Sequence, residues 1–200
     1  IGAGKSAPLT ALYLKAVRPS LRRLHCVGRS PERVSALARR LAAELALADV
    51  TLVTNIRAAE AVAASAIIVT VTTSDHPVFP GEAAPAGCCI VLGGANRPTA
   101  READDTLIRR ADIYVDALAG IFEKAGDLAL ARASGALDPS RLRGEIGGFP
   151  VGIPALSAGA DVFLFKSMGL PLQDVLLAEA LVRKAEAEGR GTVVDLAGAA

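Results

Sequence analysis

Short apolar runs alternate with stretches of helical period along the first part of the chain, regularly enough to predict its elements in turn. Apolar, β-branched or cysteine-containing runs at 24–27, 50–53, 66–72, 88–92 and 112–116 read as strands. Between them, 6–17, 57–65 and 103–110 read as helices. So does a segment starting at Pro31, where Ser30 stands as the cap and Val34, Leu37, Ala38, Leu41 and Leu45 share a face. Pro8 is compatible with the first helix because it falls in the opening turn. The run Ala66-Ile67-Ile68-Val69-Thr70-Val71-Thr72 is apolar on both faces, as in a parallel strand covered by helices on each side. The alternation predicts an α/β fold with a doubly wound parallel sheet of the Rossmann type, whose ligands lie at the carboxyl ends of the strands. Segments 2–6, 28–30, 70–74 and 93–97 are then expected at one rim.

The pattern changes after residue 116. Residues 144–159 are rich in Gly and Pro without periodicity and read as a connecting loop. A strand segment, Asp161-Val162-Phe163-Leu164-Phe165-Lys166-Ser167-Met168-Gly169, precedes a long helix over about 172–188. Leu176, Leu177, Ala180, Leu181 and Lys184 lie along that helix and give it an apolar face in need of a partner. The expected division is a nucleotide-binding domain at 1–160 and a C-terminal strand–helix segment at 161–200. No internal repeat is visible.

Composition narrows the classes. Of 200 residues, 52% are hydrophobic and 22% charged, enough to bury a core. The net charge is +1, with both signs interspersed and Trp absent, so nothing marks a nucleic-acid surface. Cys26, Cys88 and Cys89 lie in the strand-like runs without C-x-x-C spacing and read as buried reduced thiols. His25 and His76 are too isolated for a metal site. The longest apolar run, around 61–71, is broken by Ser65 and Thr70 and too short for a bilayer, so no membrane partner is expected. No signal peptide is visible, which makes the cytoplasm the default.

Candidate chemistry starts at Ile1-Gly2-Ala3-Gly4-Lys5-Ser6-Ala7, a G-x-G-x-x-A turn in which Ile1 reads as the end of a first strand whose earlier residues are missing. Gly2 permits the tight turn, Gly4 lets a pyrophosphate approach the backbone, and Ala7 lets the next helix pack close to the sheet. After the second strand stands Gly28-Arg29-Ser30, with no acidic residue before Glu32. An acidic side chain there would favour NAD, whereas Arg29 and Ser30 can meet the 2′-phosphate of NADP. The segment favours NADP and leaves NAD open. Asp127 and Glu123, four residues apart, read as a solvated helix face.

Later motifs carry a resemblance. Thr70-Val71-Thr72-Thr73 is followed by His76-Pro77-Val78-Phe79. Then come Gly93-Gly94-Ala95-Asn96-Arg97-Pro98 with Arg101-Glu102-Ala103-Asp104, Ala111-Asp112-Ile113-Tyr114-Val115-Asp116, and finally Phe165-Lys166-Ser167-Met168-Gly169. In this order and spacing the chain resembles the ornithine cyclodeaminase/mu-crystallin family from Ile1 to about Gly191. The resemblance implies a substrate-binding and dimerisation domain N-terminal to the Rossmann domain, a final helix returning to it, and a homodimer. It also implies cofactor contacts: Gly2, Gly4, Lys5 and Ser6 at the pyrophosphate, Arg29 and Ser30 at the adenosine ribose. Thr72 would border the cofactor, Gly94, Ala95 and Asn96 would approach the nicotinamide side, and Ser167 would lie near the active site.

Asn96 is the candidate catalytic residue, and it departs from the cyclodeaminases. They carry an aspartate at that position, and an amide has no titrating proton to move. A lysine of the cyclodeaminases is Ala100 here. Asn96 fits the mu-crystallin-like and imine-reducing members better, although it can also serve only to shape the turn before Pro98. The implied function is NAD(P)-dependent hydride transfer on an amino or imino acid, by a ketimine reductase or amino-acid dehydrogenase. The alternatives are cyclodeamination of ornithine and NADPH-dependent binding without turnover. No catalysis is expected from these 200 residues alone, because the substrate-binding Arg and Lys of the family lie in the other domain.

Overall fold

The computed structural model describes residues 1–43, 50–54 and 56–194. They form two compact units, one over Ile1–Met168 and a second that begins at Gly169. The first is built of helices and parallel strands in alternation. Its elements are α1 (Ala7–Val17), β1 (Arg23–His25), α2 (Pro31–Ala43), β2 (Thr51–Val53), α3 (Ala58–Ala63), β3 (Ile67–Thr70) and β4 (Cys89–Leu92). They continue with α4 (Asp105–Arg110), β5 (Ala111–Val115), α5 (Ile121–Lys124), α6 (Gly126–Ala133), β6 (Leu142–Glu145) and β7 (Val162–Lys166).

Five strands pair in the order β3-β4-β7-β5-β6, and β1 pairs with β2 separately; every pairing is parallel. Ile1 lies between the two sheets. Its amino group donates to Val69 O at 2.6 Å and its carbonyl accepts from Val71 N at 2.9 Å, while Gly2 N donates to Val27 O at 2.8 Å. Ile1 thus pairs alongside β3 as the end of a strand would. An apolar cavity of about 230 Å³ lies in the gap between β1 and β3, lined by side chains such as Leu14, Leu41, Val62 and Val69.

One face of the wider sheet is sealed: Ile90, Leu92, Ile113, Val115, Val162 and Leu164 are all fully buried, with Leu107, Ile108 and Leu128 packed over them from α4 and α6. On the opposite face Ile67, Val69, Cys89, Val91, Phe163 and Phe165 are only half-buried, so the continuous apolar runs are covered fully on one side alone; β5 is the strand buried on both. A smaller cluster, Ala7, Ala11, Cys26, Val34, Leu37, Leu41 and Val50, seats α1 and α2 on the β1–β2 pair. Val34, Leu37 and Leu41 occupy the face that their spacing predicts, whereas Leu45 lies outside the described residues. The cysteines are free, Cys26 and Cys88 buried and Cys89 half-buried.

Two features differ from the sequence reading. The segment 144–159 is not wholly a loop, because Gly144 and Glu145 end the edge strand β6, which pairs with β5 through a register shift at Ile113/Tyr114. The remainder is tied down by Ser157, whose amide and hydroxyl donate to the buried Asp112 at 2.7 and 2.6 Å. The chain also divides after Met168 rather than after residue 160, because β7 is inserted between β4 and β5. The second unit contains α7 (Pro171–Ala187), on which Leu172, Val175, Leu176, Leu177, Leu181 and Val182 are each more than half exposed. No helix among the described residues is long and apolar enough to cross a membrane.

Candidate dinucleotide site

Because all the strands run the same way, every segment that follows a strand emerges at one edge. The turn after Ile1 is shaped by two glycines with different constraints. Gly2 has φ 110°, and a Cβ there would lie 2.7 Å from Val71 O, so only glycine fits. Gly4 has no such neighbour: a Cβ there would meet nothing within 4 Å, so its backbone faces open space. Lys5 and Ser6 are exposed beside it, and Ser6 stands at the cap of α1 without a side-chain capping bond. Ala7 is buried against the sheet. An open glycine cradle ahead of an 11-residue helix is what an approaching pyrophosphate requires, so these residues fit a dinucleotide.

The segment after β1 abuts this turn, since a Cβ at Gly28 would lie 3.4 Å from Ala3 Cβ. Arg29 is exposed. The Ser30 hydroxyl donates to Glu32 at 2.6 Å and accepts from Arg33 N at 3.3 Å, so it caps α2. That bond from Ser30 holds the Glu32 carboxyl below its usual range. A cation and an anion therefore flank the end of β1.

After β3 and β4 the geometry is set from beneath by a buried carboxylate. Glu102 is fully buried. Its Oε1 accepts from the Thr72 amide at 2.8 Å and the Thr72 hydroxyl at 2.7 Å; Oε2 accepts from Gly94 N at 2.7 Å and Ala95 N at 3.3 Å. A Cβ on Gly94 would collide with the Thr72 backbone and stand 2.5 Å from Glu102 Oε1, so glycine is obligatory there through close approach. Asn96 and Arg97 are exposed just beyond, beside a recess of about 160 Å³ that Thr73 and Ser74 also line. Arg97 pairs with Asp75 at 2.6 Å.

The last strands add two more buried charges. Lys166, at the end of β7, donates to Ala95 O at 2.5 Å and stands 3.0 Å from Asp127 Oδ2, with both side chains fully buried. Asp127 Oδ1 accepts from the amides of Glu102 and Ala103 at 2.6 and 2.9 Å. This overturns the reading of Asp127 and Glu123 as one solvated face. Ala125 separates α5 from α6, so Glu123 stays exposed while Asp127 turns inward at the start of α6. Ser167 Oγ donates to Asp116 Oδ2 at 3.3 Å, and the same oxygen accepts from Met168 N at 2.6 Å.

The structure thus brings Gly2, Gly4, Lys5, Ser6, Arg29, Ser30, Thr72, Gly94, Ala95, Asn96 and Ser167 to one edge of the molecule. The Gly94 and Ala95 amides are engaged by Glu102, so those residues shape the rim rather than offer donors to it. Sequence reasoning missed Glu102, Asp127, Lys166 and Asp116. One local signal was available: Lys166 closes an otherwise apolar strand, Val162–Lys166.

A parallel sheet with helices in alternation, a glycine turn leading into a helix N-terminus, and loops gathered at one carboxyl edge define a Rossmann-type fold of the NAD(P)-binding class. Within that class the chain belongs to the ornithine cyclodeaminase/mu-crystallin family, whose profile matches residues 1–189. It is 33% identical over 136 residues to a Delta(1)-pyrroline-2-carboxylate reductase of Colwellia psychrerythraea, covering 68% of this chain and 43% of that protein. It is 35% identical over 121 residues to the ketimine reductase mu-crystallin of Mus musculus, covering 60% and 36%. Among solved structures, the Thermococcus litoralis Delta(1)-pyrroline-2-carboxylate reductase in complex with NADH and L-proline superposes with a TM-score of 0.87 at 26% identity. That superposition covers 96% of this chain and 59% of the other. The matches to the two sequence relatives span less than half of their lengths.

Proposed function

We propose that this chain is the dinucleotide-binding part of an NAD(P)-dependent oxidoreductase acting on a cyclic or open ketimine of an amino acid, with amino-acid dehydrogenation as the reverse reaction. When bound, the dinucleotide supplies or accepts the hydride; the chain binds it and aims it. Gly2 and Gly4 with Lys5, Ser6 and the α1 N-terminus hold the pyrophosphate. Arg29 and Ser30 take the adenosine ribose, Thr72 and the 94–96 loop border the nicotinamide half, and Ser167 closes the far side. The open cradle at Gly4, set against α1, is the observation that carries the reading.

Asn96 acts by hydrogen bonding at the substrate or the nicotinamide, not by moving a proton, since a carboxamide does not titrate. That favours imine reduction over cyclodeamination. Arg29 favours NADP through the 2′-phosphate, and the Glu32 carboxylate moderates that preference, so NADH binds as well. Residues on α7 dock on a second domain that carries the substrate, within a homodimer of the whole protein. Titration with NADPH and, separately, NADH tests the reading. The chain contains no Trp, so enhancement of nicotinamide fluorescence reports binding directly. Tighter binding of NADPH than NADH is expected; binding of neither would end the proposal.

A further inference from the structure

Three charged side chains lie buried under the rim and touch no open surface: Glu102, Asp127 and Lys166. Desolvating such a group is expensive, and apolar packing of similar volume is often as stabilising, so stability alone gives little reason for them. What they contribute is geometry. The Glu102 carboxylate accepts four hydrogen bonds, from both polar hydrogens of Thr72 after β3 and from the successive amides of Gly94 and Ala95 after β4, and so ties the ends of the two strands together. Ala95 is gripped at both ends, its N–H by Glu102 and its carbonyl by Lys166. Asp127 locks the pair together, holding the Lys166 ammonium with one oxygen and the Glu102 amide with the other. The residue that follows this clamped peptide is Asn96.

In a doubly wound sheet the dinucleotide crosses the crevice where the strand order reverses, here beside Ile1 between β1 and β3. With the ribose end on the β1 side, the other half of the ligand falls over β3 and β4, above the clamp. We propose that Glu102, Asp127 and Lys166 are positioning residues that hold the 94–96 loop in register for the nicotinamide half of the dinucleotide without touching it. This rests on the dinucleotide reading above.

The test is Lys166→Met combined with Asp127→Asn, which removes one charge of each sign and keeps an oxygen at residue 127 for the Glu102 and Ala103 amides. Calorimetry compares NADPH with 2′-phospho-ADP-ribose, which lacks the nicotinamide. The expected result is NADPH weakened about tenfold and the fragment within about twofold, the size of one lost charge-assisted hydrogen bond. Equal losses would make the cluster a general support, and no loss would detach the loop from it; either result overturns the proposal. If the unaltered chain binds neither ligand, the dinucleotide reading fails first. Should the double variant not fold, hydrogen exchange on the unaltered chain decides: the Gly94 and Ala95 amides should be strongly protected beside exposed neighbours, and exchange at solvent rates would refute the clamp.

Discussion

A methyl group on Gly4 perturbs the phosphate turn without touching the fold. The Gly4 backbone is not in the left-handed region, and a Cβ built there meets nothing within 4 Å. Gly4→Ala should therefore stabilise the chain by about 0.4–1 kcal/mol, by reducing the freedom of the unfolded state. For a chain of this size that raises Tm by roughly 1–4 °C. A pyrophosphate drawn up to the turn meets the methyl instead of open space. Overpacking of about 1–3 kcal/mol corresponds to a loss of about 5- to 150-fold in NADPH affinity. Gly2→Ala gives the opposite pattern, because φ 110° and the Val71 carbonyl at 2.7 Å penalise the fold before any ligand arrives. Thermal melts and NADPH titrations on the two variants separate the effects. A Gly4→Ala chain that binds NADPH like the parent would remove the pyrophosphate from this turn, and one that melts lower would refute the open cradle.

Arg29→Ala should weaken NADPH about tenfold while changing NADH by less than about twofold, and Glu32→Gln should tighten NADPH. Identical effects on the two cofactors would take both residues away from the 2′-phosphate. The apolar residues exposed on α7 should drive self-association of the chain, relieved by Leu176→Glu with Leu181→Glu; light scattering that shows a monodisperse parent at high concentration would contradict this. Burial pushes the Cys88 thiol up from 9.0 to about 11, so it should resist thiol reagents at pH 8 in the folded chain and react once unfolded. The fold holds that proton more tightly than the unfolded chain does. The associated stability is thus intact below about pH 9 and lost as the pH rises towards 11, which denaturant midpoints across that range would show.

Glu102 and Lys166 show why part of the site was hidden. Both stand in strings that mark the family, yet neither reads as functional, because a lone charge in a sequence is by default a solvated one. Asp127 shows the same limit from the other side. Its spacing from Glu123 suggests a shared helix face only if the helix is continuous, and the break at Ala125 sends the two carboxylates in opposite directions. The edge strand β6 was lost among glycines and prolines because only one side of it is paired, so its sequence carries little apolar pattern.

By itself the sequence determined the alternation of strand and helix, the parallel sheet, the glycine turn and the loops that meet at the rim. These depend on periods of two and 3.6 residues and on the backbone freedom of particular glycines, and both are written in neighbouring positions. Only the tertiary structure decided that β7, late in the chain, enters between β4 and β5, and that Glu102 serves Thr72 and Gly94 from below. It alone placed Lys166 on the carbonyl of Ala95, 71 residues away. A buried charge is tolerable only where the fold delivers its partners, and partners so distant along the chain leave no local trace.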